Sequence, residues 1–502
     1  MSKRLRTIII AAAAALLLGA AVLIVSIIPQ ESENNNSGNT SSSIAGSEAP
    51  DASGYITVYS FDADQVRRIE VKNEHGSYAV KYLKEDEYTL EGMEEYEVDF
   101  DSIETLLTSC MEFLASKVIA ENPTDLAPYG LKEPAAQARI TYDTGEVIEA
   151  SIGDTSSSGS RYVYLKGNDK IYLVPSGWST VFEDKYSNFL DLTVVDAIET
   201  DEDGNEIDPH VKKISYFGKG LENPIILEEN PEYVAEKKRL EEAEEGETLE
   251  ATVNAAQFIF TSPFKADVSN GNFEGMQYAY YGLTAYDIYA LRPTAKDLKA
   301  CGLDDPYVTV EVVDAKQTIK IKLGNTVTIG EEEYYYAVAS GKTPIYLVDA
   351  VDFSFFEEDM INYMSAIVVN VMIDDIDTLT VEHGKDKYVF ETSGDGEELV
   401  VRWNGKKMST AEYRDLYQLV MLAYCEESVK PGEYKGDAEL KITYTYRGKE
   451  KVDVVEYVKV EPRKYLIRRN GSDLALVRSK YVNTLVYGVT EFINGRDVPS
   501  DY

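Results

Sequence analysis

Few side chains in this sequence have the chemistry of a catalyst, and none is spaced to act as one. The three histidines are His75, His210 and His383. None falls in an H-E-x-x-H pattern, which would set two imidazoles on one helix face around zinc. His75 and His383 are each followed by glycine in matching segments and read as hairpin-turn residues that tolerate an unusual φ. The cysteines Cys110, Cys301 and Cys425 lie far apart with no C-x-x-C. That spacing gives neither a disulfide framework nor a zinc site. Cys110 and Cys425 fall in apolar helical patterns and read as small buried hydrophobes. No G-x-S-x-G or S-x-x-K stands out, and there is no glycine loop of the phosphate-cradling kinds.

Carboxylates are the one reactive group in surplus. With 88 Asp and Glu against 49 Lys and Arg, the net charge is -39, and some acidic pair will always resemble an acid/base couple. General acid/base work needs groups held in mutual reach, and nothing in the sequence singles out such a pair. No catalytic residue, cofactor or metal ligand is therefore assigned, and a non-enzymatic protein is expected. The acidic stretch 200–208 places Gly204 fourth counting from Asp201. A calcium loop wants glycine sixth, so the stretch reads as a solvated turn. The negative charge argues against nucleic acid as a partner, and against the folded part lying on anionic lipid.

The elements around these residues are organised by a decapeptide that occurs twice. Asp125-Leu126-Ala127-Pro128-Tyr129-Gly130-Leu131-Lys132-Glu133-Pro134 and Asp297-Leu298-Lys299-Ala300-Cys301-Gly302-Leu303-Asp304-Asp305-Pro306 share D-L-x-x-x-G-L-x-x-P. Pro134 and Pro306 fix φ, Gly130 and Gly302 supply a conformation that a side chain opposes, and Leu131 packs beneath. The spacing predicts a rigid corner joining helix to sheet. After each copy come Ile152-Gly153 or Leu323-Gly324, then Tyr162-Val163-Tyr164 or Tyr334-Tyr335-Tyr336, then Ile171-Tyr172-Leu173-Val174 or Ile345-Tyr346-Leu347-Val348. These are strand and hairpin signals. The 37 tyrosines suit half-buried strand faces.

Ahead of the first corner, Val66–Lys72 alternates as a strand does and Tyr78–Tyr82 returns as its partner. Asp101-Ser102-Ile103-Glu104 looks like a helix N-cap. Ile103, Leu106, Leu107, Cys110, Leu114 and Val118 then fall on one predicted helical face. Further helices are expected at 180–190, near 272–291 and at 352–364. Residues 229–250 form a charged insert. Beyond 370, Leu379-Thr380-Val381-Glu382-His383-Gly384 repeats the opening strand, and Ser409-Thr410-Ala411-Glu412 caps a helix. Hairpins follow, one of them turning at Asn470-Gly471. This third copy lacks the decapeptide.

Residues 8–28 are apolar and long enough to span a bilayer, and Lys3, Arg4 and Arg6 precede them, which places the N-terminus in the cytoplasm. The run ends in Ile27-Ile28-Pro29 without a small-x-small site, so an uncleaved anchor is expected. A lipoprotein would need a cysteine after the apolar core, and the first is Cys110. The chain is thus divided into 1–7 cytoplasmic, 8–28 membrane-spanning, 29–54 a flexible tether and 55–195 a first unit. An acidic linker at 196–210 leads to a second unit at 211–369 and a degenerate third at 370–502. The fold class is α+β: tandem units of antiparallel sheet plus helices after one transmembrane helix.

The decapeptide together with I/L-G, Y-V-Y and I-Y-L-V resembles the bacterial domain of unknown function 4340 family. The resemblance implies an exported protein held at the cell membrane, with its bulk outside the cytoplasm. It also implies association with an ABC-type permease and ATPase. The family has no established catalytic residues to carry over. Stacked repeats present long surfaces suited to binding, so an accessory component of an ABC-type system is expected. The alternative is an envelope module recognising wall glycan or a surface protein.

Overall fold

The opening strand of each unit decides how its sheet is built. In Val66–Asn73 the buried residues are Val66, Ile69 and Val71, a spacing that strict alternation forbids. A bulge between Val66 and Arg68 inserts one residue and returns Ile69 to the inner face. The third unit repeats the device: Ile376, Leu379 and Val381 are buried, with the register shift between Ile376 and Thr378.

The computed structural model describes residues 54–84, 87–242, 255–273, 275–421 and 423–499. No helix among them is long and apolar enough to cross a membrane. The apolar segment 8–28 and the tether up to residue 53 lie outside the described residues. By contacts the described residues divide into two bodies, one holding those of 54–91 with 103–184, the other those of 92–102 with 185–499.

The first body carries strands β1 (Ile56–Ser60), β2 (Val66–Asn73), β3 (Gly76–Lys84), β4 (Glu87–Leu90), β5 (Glu112–Ala115), β6 (Lys117–Glu121), β7 (Ala136–Tyr142), β8 (Val147–Thr155), β9 (Arg161–Leu165) and β10 (Lys170–Val174). β1 pairs with β5, and the others form an antiparallel sheet in the order β4-β3-β2-β7-β8-β9-β10-β6. Helix α1 (Phe100–Met111) buries Ile103, Leu106, Leu107 and Cys110. It meets the sheet where the Tyr142 hydroxyl donates to the Cys110 carbonyl at 2.6 Å. The predicted helical face runs too far: α1 stops at Met111, and Leu114 and Val118 belong to β5 and β6. The cap is Asp99, whose carboxylate accepts the Ser102 N–H at 2.7 Å, rather than Asp101. The chain then turns through α2 (Ser176–Ser179).

The second body holds two nine-stranded antiparallel sheets. One uses β11 (Lys213–Phe217), β12 (Ile225–Glu229), β13 (Phe258–Ser262), β14 (Ala266–Asp267), β15 (Asp287–Ala290), β16 (Val308–Val313), β17 (Thr318–Ile329), β18 (Glu332–Ala339) and β19 (Ile345–Asp349), ordered β14-β13-β12-β11-β16-β17-β18-β19-β15. The other uses β20 (Ile376–His383), β21 (Asp386–Ser393), β22 (Val400–Trp403), β23 (Lys406–Lys407), β24 (Glu427–Ser428), β25 (Leu440–Tyr446), β26 (Val452–Glu461), β27 (Lys464–Arg469) and β28 (Ser472–Arg478), ordered β23-β22-β21-β20-β25-β26-β27-β28-β24. All three large sheets therefore share one plan. A fold-back ribbon lies on one side of the opening strand and a four-strand meander on the other. The strand that precedes the meander in sequence pairs with the meander's last strand. The repeats expected from sequence are real, and the third sheet has the same plan without the decapeptide.

Most helices of the second body are short. The insert begins with α3 (Pro231–Glu241), which buries no residue and is capped by Asn230; residues 243–250 of the insert are outside the described residues. The helix expected near 272–291 is instead α4 (Asn270–Phe273), a 3-10 turn (Met276–Tyr278) and β15. The closing helices expected at 180–190 and 352–364 are 3-10 turns. In the latter, Phe353, Phe355 and Phe356 are all buried, and Tyr216 and Tyr335 pack against them. Three aromatics so closely spaced cannot share one α-helical face, and the tighter turn turns all of them inward. α5 (Ala295–Ala300) carries part of the second decapeptide. True helices close the third sheet: α6 (Thr410–Met421) and α7 (Ser479–Ile493). They meet at Gly488, where an added Cβ would lie 2.8 Å from Leu419 Cδ2.

Candidate functional site

Each decapeptide lies between an edge strand, β6 or β15, and the first strand of the meander; the second runs from helix to sheet, from α5 into β16, as the spacing suggested, whereas the first holds only a 3-10 turn, Ala127–Tyr129. Asp125 caps the turn by accepting the Ala127 N–H at 3.0 Å. Asp297 serves Thr294 in a reciprocal capping box at the start of α5. The Leu131 N–H reaches the Leu126 carbonyl at 3.1 Å, and Leu303 reaches Leu298 at 2.8 Å. Leu131 and Leu303 are buried, and Pro134 and Pro306 lead into β7 and β16. Gly130 and Gly302 have φ of +69° and +72°.

The I/L-G glycines explain why the motifs travel together. A Cβ on Gly153 would sit 2.2 Å from the Tyr129 carbonyl oxygen, and one on Gly324 would sit 2.0 Å from that of Cys301. Each corner's backbone thus rests directly on the neighbouring strand, which only glycine permits. In the third sheet Leu440 faces Tyr457 as Ala136 faces Ile152. Val458 therefore stands where Gly153 stands. With no corner to accommodate, it fills the space with Val429, Leu466 and Leu476. In both corners the aspartates cap, the glycines take the left-handed conformation and the second leucines are buried.

His75 and His383 lie at equivalent hairpins, but the left-handed positions there are Gly76 and Gly384, and the histidine with positive φ is His210, at 55°. Among the described residues no group of three His, Cys, Asp or Glu could hold a metal ion.

A polar site that the sequence did not suggest lies in the second body. A cavity of about 410 Å³ opens between the second and third sheets. Its floor is an ion-pair network across the two repeats. Arg469, at the end of β27, donates from Nη1 to Asp267 of β14 at 2.8 Å and from Nε to Asp453 of β26 at 3.1 Å. Asp453, only 1% exposed, also accepts from the Tyr446 hydroxyl at 2.6 Å and from Asn470 Nδ2 at 2.8 Å. Lys451 bridges Glu232 of α3 at 2.8 Å and Asp453 at 3.5 Å. Burial alone would push the Asp453 carboxyl up, but Arg469, the Tyr446 hydroxyl and Lys451 hold it ionised, at about 2. Arg469 in turn is desolvated, yet Asp267 and Asp453 raise it above its ordinary value. Burial, then Asp453, keeps the Tyr446 phenol neutral.

One signal could have revealed this floor. Asp453 shares strand parity with Val455 and Tyr457, both 1% exposed, so it is a carboxylate on an inward face and needs a partner. The outer face of the first sheet forms a second, more open concavity of about 650 Å³. Arg68 there is paired with Glu91, and Arg139 and Lys166 with Glu149, a ladder typical of a solvated sheet face.

A family model described as "Domain of unknown function (DUF4340)" matches the chain twice, over residues 89–251 and 260–429, well over half its length. Both matches begin on the third strand of a sheet, β4 or β13, and run on into the following sheet, so they are offset from the sheets themselves. No curated protein and no solved structure matches the chain.

Proposed function

Because this chain belongs to the domain of unknown function 4340 family, we propose that it is a non-catalytic, membrane-tethered extracytoplasmic protein and an accessory component of an ABC-type transport system. The observation that carries the binding role is the cleft between the second and third sheets. Its charged floor is locked by Arg469 between Asp267 and Asp453, so its groups are preorganised. Asp453 stays ionised across the neutral range, which suits it to hold a shape rather than to exchange protons. The apolar segment 8–28 and its preceding cations support the tether.

A second reading is supported by the same cleft: an envelope-binding module that takes wall glycan or a surface protein, without transport. Topology is tested by placing one thiol in the exposed loop at Ser157. In intact cells a membrane-impermeant maleimide should label Ser157→Cys but not the parent protein. Labelling only after permeabilisation would put the bulk of the chain inside and end both readings.

A further inference from the structure

We propose that the cleft between the second and third sheets binds a neutral polyhydroxylated ligand, a mono- or disaccharide; this rests on the binding role given above. The charge of the lining supports this class. In a chain of net charge -39, the cavity sets four cations against five carboxylates. It is near balance, and a ligand with net charge would leave a desolvated charge uncompensated.

The floor offers donors and acceptors side by side, held rigid by its ion pairs. Arg469 spends Nε and Nη1 on carboxylates, and among the described residues its Nη2 hydrogens have no partner. Asp267 uses Oδ2 for that ion pair, which leaves Oδ1 to accept. A sugar hydroxyl both donates and accepts, so it can use both sides of such a pair at once. Ile259, Val268 and Val371 supply apolar wall for the C–H face of a ring. A volume of about 410 Å³ falls in the range of small-molecule sites. At the mouth, Asn370 and Lys449 are exposed, with no side-chain partner among the described residues.

The test is calorimetric titration of the full-length protein, held in a non-glycosidic detergent, with maltose, cellobiose and N,N′-diacetylchitobiose. Glycylglycine, a zwitterion, and inorganic phosphate, a net anion, serve as non-saccharide controls. At least one disaccharide should bind. Asn370→Ala with Lys449→Ala should weaken it about tenfold, the loss of one or two hydrogen bonds. The midpoint of thermal unfolding should not change, because neither residue supports the network. If only glycylglycine or phosphate binds, the saccharide class is wrong and the binding role stands. If no probe binds, both the class and the role of the cleft fall. Disaccharide binding that the double variant leaves untouched would place the site elsewhere and overturn the proposal.

Discussion

Asp453→Asn isolates the floor of the cleft. The carboxyl is held at about 2 against an ordinary value of 3.8. At about 1.4 kcal/mol per pH unit, that difference contributes about 2–3 kcal/mol to stability at neutral pH. A folded-state value below the unfolded one means that the contribution is present above about pH 4 and is lost as pH falls toward 2. About half of it should survive at pH 3. Asparagine keeps the shape, removes the charge and leaves Arg469 with Asp267 alone, so the variant should lose about 2–3 kcal/mol at pH 7. The assay is urea unfolding of the second body, read by tyrosine fluorescence, at pH 7, 5 and 3. The penalty should hold from pH 7 to 5 and fall to about half by pH 3. A penalty below about 0.5 kcal/mol at pH 7 would refute the network's role. So would a penalty equal at pH 7 and pH 3, because it could not come from ionisation.

Further outcomes follow from the corners and the thiols. Gly324→Ala drives a methyl into the Cys301 carbonyl and should cost about 2 kcal/mol or more in denaturant unfolding; a neutral effect would mean that the corner does not rest on this strand. Val458→Gly, the reverse exchange in the third sheet, should instead open a void among Val429, Leu466 and Leu476 and cost about 2–4 kcal/mol. Burial pushes the Cys425 thiol up to about 12, and also raises Cys110 and Cys301. All three should therefore stay neutral and unreactive toward a disulfide reagent at pH 8 until the protein is unfolded. Rapid native labelling of Cys110 would contradict the packing of α1.

What could be read from the sequence follows a physical division. Strands whose inner faces are apolar announce themselves by alternation, and turns such as Asn470-Gly471 by their residue types, so the hairpins of all three units were legible. The pairing of Gly130 with Gly153 was visible as co-occurrence, but its cause, a carbonyl resting on a Cα, needed coordinates. Local pattern is a poor guide to short connecting segments, where tertiary packing overrides it. Phe353, Phe355 and Phe356 are drawn inward by Tyr216 and Tyr335, which selects a 3-10 turn. The cleft was illegible for another reason: Asp453 and Arg469 meet across the β26–β27 hairpin, but Asp267 belongs to the preceding repeat, and only the packing of the two repeats brings it to them.

The accessory role itself is tested most directly by purifying the tagged full-length protein from its native membrane in mild detergent and identifying what comes with it by mass spectrometry. Recovery of an ABC-type permease and ATPase in fixed stoichiometry is the predicted result. Recovery of the protein alone, under conditions that keep permease and ATPase together, would contradict a stable accessory subunit.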